Sequence, residues 1–229
     1  MIENAQQIKP CLSLPTEIQT LELLENWVSD ELARLAEVIE RRRTEGFVRE
    51  CHGDLDLGNI VIINGAITFF DCIEFNDQLR WIDTFSELAY LLMDLESCNS
   101  PGFANRVLNQ YLDYSGDYSG LKLLRLYKFY RAMVRAKVDV LQSKQAQQTT
   151  AGLSERYYHY IQLAGSYIVD QTPFIAITYG VAASGKSTVS EFIAAHFNAV
   201  RLRSDIERKR LFGLKPLERS SSELKSLMY

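Results

Sequence analysis

Two stretches of the chain carry residue types whose spacing suits phosphate chemistry. The first is His52-Gly53-Asp54-Leu55-Asp56-Leu57-Gly58-Asn59, followed by Asp71 at the end of an apolar run. Taken alone, His-Gly-Asp reads as a turn in which Asp and Asn serve local hydrogen bonds. The longer pattern says more. Phosphoryl transfer needs a carboxylate to orient a hydroxyl and take its proton, and it needs hard oxygen ligands to hold Mg²⁺ against nucleotide phosphates. Asn64-Gly65 is a strong hairpin signal. A hairpin there brings Asn59, at the start of one strand, beside Asp71, at the end of its partner, so the two can share a metal. Asp54 lies on the loop just ahead of Asn59.

The second stretch, Gly180-Val181-Ala182-Ala183-Ser184-Gly185-Lys186-Ser187-Thr188, fits the pattern G-x-x-x-x-G-K-[ST]. The glycines let the backbone curl so that N–H groups face phosphate oxygens, and the N-terminus of a following helix adds a favourable dipole. Lys186 is expected to reach the β- and γ-phosphates, and the Ser187 hydroxyl to bind Mg²⁺. Gly180, Ser184, Gly185, Lys186, Ser187 and Thr188 form the expected nucleotide-binding set, with ATP and Mg²⁺ as the cofactors.

The elements that would position these residues follow from the apolar spacing. Residues 16–43 read as a helix ending at Arg41-Arg42-Arg43, where cations suit the helix dipole and a solvated end is expected. Strands are expected at 47–51, 59–63 and 66–70, and helices from Trp81 to Leu95 and over 103–113, 120–143 and 153–168. The helix over 120–143 carries Lys122, Arg125, Lys128, Arg131, Arg135 and Lys137 on one face. Interleaved tyrosines could make that face an anion or nucleic-acid contact, but their helical spacing favours a half-buried helix with a solvated basic side. Gln171-Thr172-Pro173 reads as a linker. Beyond it come a strand at Phe174–Thr178, the glycine-containing loop, a helix from Lys186 to His196, a strand at Ala199–Leu202 and a basic helix. The expected division is 1–170 and 171–229.

On His52-Gly53-Asp54-Leu55 through Asn59, and on Phe70-Asp71-Cys72-Ile73-Glu74-Phe75, the chain resembles the aminoglycoside-phosphotransferase-like branch of the protein-kinase-like fold. The resemblance implies Asp54 as catalytic base and Asn59 and Asp71 as Mg²⁺ ligands. Trp81-Ile82-Asp83 with Leu88-Ala89 loosely matches a later stretch of that branch and implies a structural role for Asp83. Glu74 is either a further metal or substrate contact or a solvated loop acid, the latter favoured. His52 is expected to bond the loop backbone. Only 51 residues precede His52, with neither a glycine-rich loop nor a Val-Ala-Ile-Lys-like strand among them, so the C-terminal lobe alone is expected.

The second stretch resembles the P-loop of small-molecule kinases and their ATPase relatives. Arg203-Ser204-Asp205 resembles the place where such kinases carry a substrate-facing carboxylate, which would make Asp205 catalytic. The same residues equally suit a helix N-cap. No later apolar strand ending in an acid follows.

The order resembles bacterial two-domain proteins that pair an aminoglycoside-phosphotransferase-like module with an AAA-family or zeta-toxin-like P-loop module. Against them the chain looks like the middle, cut at both ends. The fold class expected is an α+β kinase-like C-terminal lobe, mostly helical with a short β-hairpin, followed by the start of an α/β P-loop NTPase domain. The function expected is Mg²⁺-dependent phosphoryl transfer from ATP to a small-molecule hydroxyl. The alternatives are a P-loop module that binds nucleotide without catalysis and a non-functional remnant.

Composition bounds the partners. Lys plus Arg is 25 against 29 for Asp plus Glu, a net charge of -4, which argues against a nucleic-acid coat or a membrane-surface protein. No apolar run is long enough to span a bilayer. Cys11, Cys51, Cys72 and Cys98 are scattered with no C-x-x-C pair, so a reducing, cytoplasmic setting is the default. The expected partners are a nucleotide and a small-molecule substrate, with no nucleic acid and no membrane; the oligomeric state is left open.

Overall fold

The computed structural model describes residues 2–145, 153–170, 172–181, 183–216 and 218. Gln171 of the expected linker, Ala182 of the glycine-containing loop and residues 219–222 of the polar tail lie outside them.

The chain divides into two compact units, one of residues 1–99 and 120–173, the other of residues 100–119 and 174–229. Residues 100–119 therefore group with the second unit, where the sequence reading kept all of 1–170 together.

The first unit is mainly helical. It contains α1 (Ile2–Ile8), α2 (Pro15–Thr44), α3 (Asp77–Arg80), α4 (Thr84–Ser97), α6 (Leu121–Gln145) and α7 (Glu155–Ile168). Its strands form two antiparallel pairs: β1 (Val48–Glu50) with β4 (Trp81–Asp83), and β2 (Ile60–Ile63) with β3 (Ala66–Phe69). The β2–β3 hairpin turns at Asn64-Gly65, both at positive φ, as the sequence reading required. The apolar spacing predicts a helix from Trp81, but Trp81–Asp83 form β4. The helix instead starts at Thr84, because the Asp83 carboxylate accepts the Phe85 N–H at 2.8 Å and caps it.

The core forms where α6 packs on α4, α7 and α2. Leu21, Leu24, Phe85, Leu92, Met93, Leu123, Leu126, Phe129 and Tyr157 are all buried there. Trp27 stacks obliquely on Phe129 at 4.9 Å.

Two expectations about charged faces fail here. The arginine run at the end of α2 is not uniformly solvated. Arg42 is fully buried, with its Nε and Nη2 on the two oxygens of Asp83 at 2.7 and 2.8 Å and its guanidinium 4.0 Å from the Phe47 ring. Likewise the basic side of α6 turns inward at Lys128 and Arg131, both buried. Lys128 is held by Glu96 at 2.7 Å, and Arg131 lies over the Tyr90 ring at 4.5 Å. Burying these cations is tolerated because each meets an anion, a carbonyl or an aromatic face.

The second unit contains α5 (Pro101–Ser115), α8 (Lys186–His196) and α9 (Ser204–Leu211). α5 packs against α8, burying Ala104, Leu108, Leu112, Ala194 and Ile206. The strands expected at Phe174–Thr178 and Ala199–Leu202 do not form; both runs lack ladder partners among the described residues. Ile175 and Ile177 are 93% and 89% exposed, so the first run has nothing to pack on. The second run gives its backbone to α5 instead. Asn109 Nδ2 donates to the Ala199 carbonyl at 3.2 Å, and the Arg201 N–H donates to Asn109 Oδ1 at 2.7 Å. Two short strands alone are marginal in water, and here side-chain amides replace the missing ladder.

Candidate functional site

In the first unit, the loop after β1 is fixed from both sides. Gly53 sits at φ +85, and a Cβ there would come within 2.9 Å of the Leu79 carbonyl oxygen, so glycine is required. Its N–H donates to Glu87 Oε2 at 3.0 Å, and its carbonyl accepts from Arg131 Nη1 at 3.2 Å. The peptide immediately before Asp54 is thus gripped by α4 and α6. His52 has the backbone role expected of it. Its Nε2–H donates to the Phe70 carbonyl at 2.7 Å, and its own carbonyl accepts from Ile73.

Asn59 is brought to Asp54. Its Nδ2 donates to the Asp54 carbonyl at 2.9 Å and to Asp54 Oδ2 at 3.2 Å. The ladder continues past β2 as the Phe70 N–H donates to the Asn59 carbonyl at 3.1 Å, which sets Asp71 one residue beyond the position facing Asn59. Asp71 lies at φ 58, in the left-handed region that aspartate tolerates better than most residues. Its side chain and that of Glu74 are exposed.

The sequence reading passed over Asp56, a buried carboxylate that shapes this loop. Its Oδ1 accepts from Gly58 N at 2.8 Å and Asn59 N at 3.2 Å, and its Oδ2 accepts from Arg135 Nη1 at 2.8 Å. Burial pushes the Asp56 carboxyl above the usual carboxylate range, opposed by Arg135. Burial likewise raises Glu87, opposed by the Gly53 N–H and Arg131. Asp94 accepts the Leu57 N–H at 2.9 Å. An Asx cap, Asp followed two and three residues later by the amides it accepts, was a readable local signal for Asp56. Nothing local could have shown that Arg131 and Arg135 reach this loop.

For Mg²⁺ the donor chemistry fits. Asn59 uses its Nδ2 on Asp54, which leaves Oδ1 as a hard acceptor, and Asp71 supplies a carboxylate. Among the described residues no group of three or more His, Cys, Asp and Glu side chains is arranged to hold a metal ion, so the remaining ligands there would be water and phosphate oxygens.

In the second unit, α8 begins at Lys186, with Gly185 at its N-cap in the left-handed conformation and no side-chain cap. Ala183 also has a positive φ of 62, a conformation that costs roughly 1–2 kcal/mol for a non-glycine residue. The Lys186 ammonium folds over the loop and donates to the Gly180 and Val181 carbonyls at 2.7 and 2.5 Å. Ser184, Ser187 and Thr188 are exposed at the start of α8. A helix N-terminus without a side-chain cap, beside a lysine held by the Gly180 and Val181 carbonyls, suits a polyphosphate, and the Ser187 hydroxyl would add a hard oxygen for Mg²⁺.

Asp205 does not cap α9. Arg203 occupies that position without a side-chain cap bond, and Asp205 sits in the first turn, where its Oδ2 accepts from Arg203 Nη2 at 3.0 Å.

Comparison with known proteins bears on the second unit. A family model described as an AAA domain matches residues 175–228, so this part of the chain is similar to a nucleotide-binding P-loop domain. The chain is also similar to "Uncharacterized protein Rv2004c" of Mycobacterium tuberculosis (strain ATCC 25618 / H37Rv) and to "Uncharacterized protein Mb2027c" of Mycobacterium bovis. Each is 28% identical over 209 residues, which is 91% of this chain and 41% of the relative. The chain thus spans about two fifths of the length of the curated relatives it matches. No solved structure matches it significantly. No helix among the described residues is long and apolar enough to cross a membrane.

Proposed function

We propose that the chain binds ATP with Mg²⁺ through Gly180–Thr188 and serves a kinase-like phosphoryl transfer to a small-molecule hydroxyl. The observation that carries this is the start of α8. Gly185 opens a helix with no side-chain cap, and Lys186 lies across the loop on the Gly180 and Val181 carbonyls. The β- and γ-phosphates of a nucleotide would replace those carbonyls as the partners of Lys186, and N–H groups of the first turn would take phosphate oxygens. Magnesium, when bound, neutralises charge on the phosphates. Asp205 stays a candidate for the carboxylate that faces the acceptor, held in orientation by Arg203. Calorimetric titration with ATP and Mg²⁺ tests the reading. Lys186→Ala is expected to weaken binding at least about tenfold, the equivalent of about 1.4 kcal/mol, and equal affinities would reject it.

A second centre, of the aminoglycoside-phosphotransferase-like type, is favoured by the contact of Asn59 Nδ2 with Asp54 Oδ2. In this reading Asp54 takes the proton of the acceptor hydroxyl as its oxygen bonds to the γ-phosphorus. The bond from that phosphorus to the β–γ bridging oxygen breaks, and ADP leaves. Asn59 and Asp71 would hold Mg²⁺, while Glu87 and Arg131 keep the Asp54 backbone in place. ATP-dependent phosphorylation of a sugar and aminoglycoside panel tests it. Activity that survives Lys186→Ala and is lost in Asp54→Asn supports this centre, and turnover unchanged in Asp54→Asn ends it.

A further inference from the structure

α5 buries a polar stripe. Asn105, Asn109 and Asp113 recur every four residues on one face, and all three are at least nine-tenths buried. The first two are explained by their bonds. Asn105 Nδ2 donates to Asn198 Oδ1 and the Ala199 carbonyl, and Asn109 bonds Asn105, Ala199 and Arg201. Asp113 is not explained. Among the described residues its Oδ1 is buried without a hydrogen-bond partner, and its Oδ2 lies 3.8 Å from Arg203 Nη1, too far for a direct hydrogen bond. A buried acceptor left without a donor is costly, and such a group in a native fold calls for a missing partner.

Asp113 lines a cavity of about 360 Å³ within this unit. Arg106, Arg201, Arg203 and Glu191 line it as well, so three guanidiniums face two carboxylates, an excess of one positive charge. Glu191 lies 3.6 Å from Arg106 and 3.7 Å from Arg201, beyond hydrogen-bond distance, so these ion pairs leave guanidinium donors available to an anion. The walls are fixed. Arg210 donates to the Leu112 and Asp113 carbonyls at 3.1 and 2.7 Å, closing the end of α5, and Arg203 is tied to Asp205.

We infer that this cavity binds a small polyhydroxylated anion, such as a sugar phosphate, with the arginines on its anionic group and Asp113 Oδ1 accepting from one of its hydroxyls. The volume suits a phosphorylated hexose. The cavity takes Arg106 and Asp113 from α5 and Glu191, Arg201 and Arg203 from the stretch similar to an AAA domain, but none of Gly180–Thr188 lines it, so it is a separate site from the glycine-containing loop.

The test is calorimetric titration of the full chain carrying Lys186→Ala, so that phosphate binding at the glycine-containing loop is weakened. Glucose 6-phosphate is expected to saturate, with glucose and inorganic phosphate each at least about tenfold weaker. Adding Arg203→Ala or Asp113→Leu is expected to weaken glucose 6-phosphate by about tenfold or more. Asp113→Leu is also expected to leave the thermal midpoint unchanged or higher, because an apolar residue of similar size removes an unpaired buried acceptor. Failure of glucose 6-phosphate to saturate, binding indifferent to both substitutions, or a lowered midpoint in Asp113→Leu would each overturn the inference. The last would make Asp113 a purely structural residue.

Discussion

The backbone N–H of Gly53 donates to Oε2 of Glu87 at 3.0 Å, so a side chain 34 positions later in the chain fixes the His52–Gly53 peptide that leads into Asp54. Glu87 has a second oxygen, Oε1, buried without a hydrogen-bond partner among the described residues. The group is therefore a weakly compensated buried carboxylate whose negative form is disfavoured by burial.

That has a consequence for stability against pH. Burial raises Glu87 above the ordinary glutamate range in the folded chain. A carboxyl raised on folding stabilises the fold fully below its unfolded value, and this contribution is lost as pH rises through the folded value. Glu87→Gln keeps an oxygen that can accept the Gly53 N–H but does not titrate. The stability of wild type relative to Glu87→Gln is therefore expected to fall as pH rises above the ordinary glutamate range. Urea unfolding of both proteins at pH 5, 6, 7 and 8 measures it, and a difference independent of pH would contradict the raised value.

Neighbouring arginines at the end of α2 should behave oppositely. Arg42 is buried against Asp83, and its removal strands a carboxylate that also caps α4 and accepts from Tyr127 at 3.3 Å. Arg42→Ala is expected to cost about 3–5 kcal/mol, as breaking a buried pair does. Arg43 lies exposed, paired with Glu40 at 2.5 Å, and Arg43→Ala is expected to leave stability close to that of wild type. Denaturant midpoints of the two variants decide it, and similar losses would refute the distinction.

Glycines in the first unit divide in the same way. At Gly120 a Cβ would lie 2.1 Å from the Phe85 ring, inside the core, so Gly120→Ala is expected to cost about 1–3 kcal/mol through overpacking. At Gly165, within α7, a Cβ meets nothing within 4 Å, so Gly165→Ala is expected to add about 0.5–1 kcal/mol of stability. Thermal melts of both would show shifts of opposite sign, and two shifts of the same sign would contradict the packing at Phe85.

These contrasts mark where sequence reading reaches its limit. The longer helices announced themselves through apolar periodicity, and the β2–β3 hairpin through Asn64-Gly65, because both signals are local; the short α1 and α3 were not foreseen. The Asn59–Asp54 contact was also within reach, since only four residues of loop separate the two. Three kinds of feature were not legible. Arg42, Lys128 and Arg131 sit on charged faces that look solvated, and only tertiary packing supplies their partners. Asp83 looks like the interior of a helix until β1 pairs with β4 and the chain turns there. The runs 174–178 and 199–202 have strand composition, but composition cannot supply a ladder partner, and α5 claims the backbone of the second.

The last prediction concerns the division of labour at the start of α8. Lys186 reaches across the loop to the Gly180 and Val181 carbonyls, whereas Ser187 stands exposed in the first turn, with its carbonyl accepting from Arg201 Nη1 at 3.1 Å. The serine hydroxyl is therefore carried on backbone that Arg201 helps to hold. If Ser187 holds Mg²⁺, Ser187→Ala should leave ATP binding in EDTA unchanged and abolish the gain that Mg²⁺ gives wild type, expected to be about tenfold. Lys186→Ala, in contrast, should weaken ATP both with and without Mg²⁺, because its ammonium meets the phosphates directly. Titrations of the three proteins with ATP, in Mg²⁺ and in EDTA, separate the roles. A Mg²⁺ gain in Ser187→Ala equal to that of wild type would remove Ser187 from the metal site while leaving Lys186 as a phosphate contact.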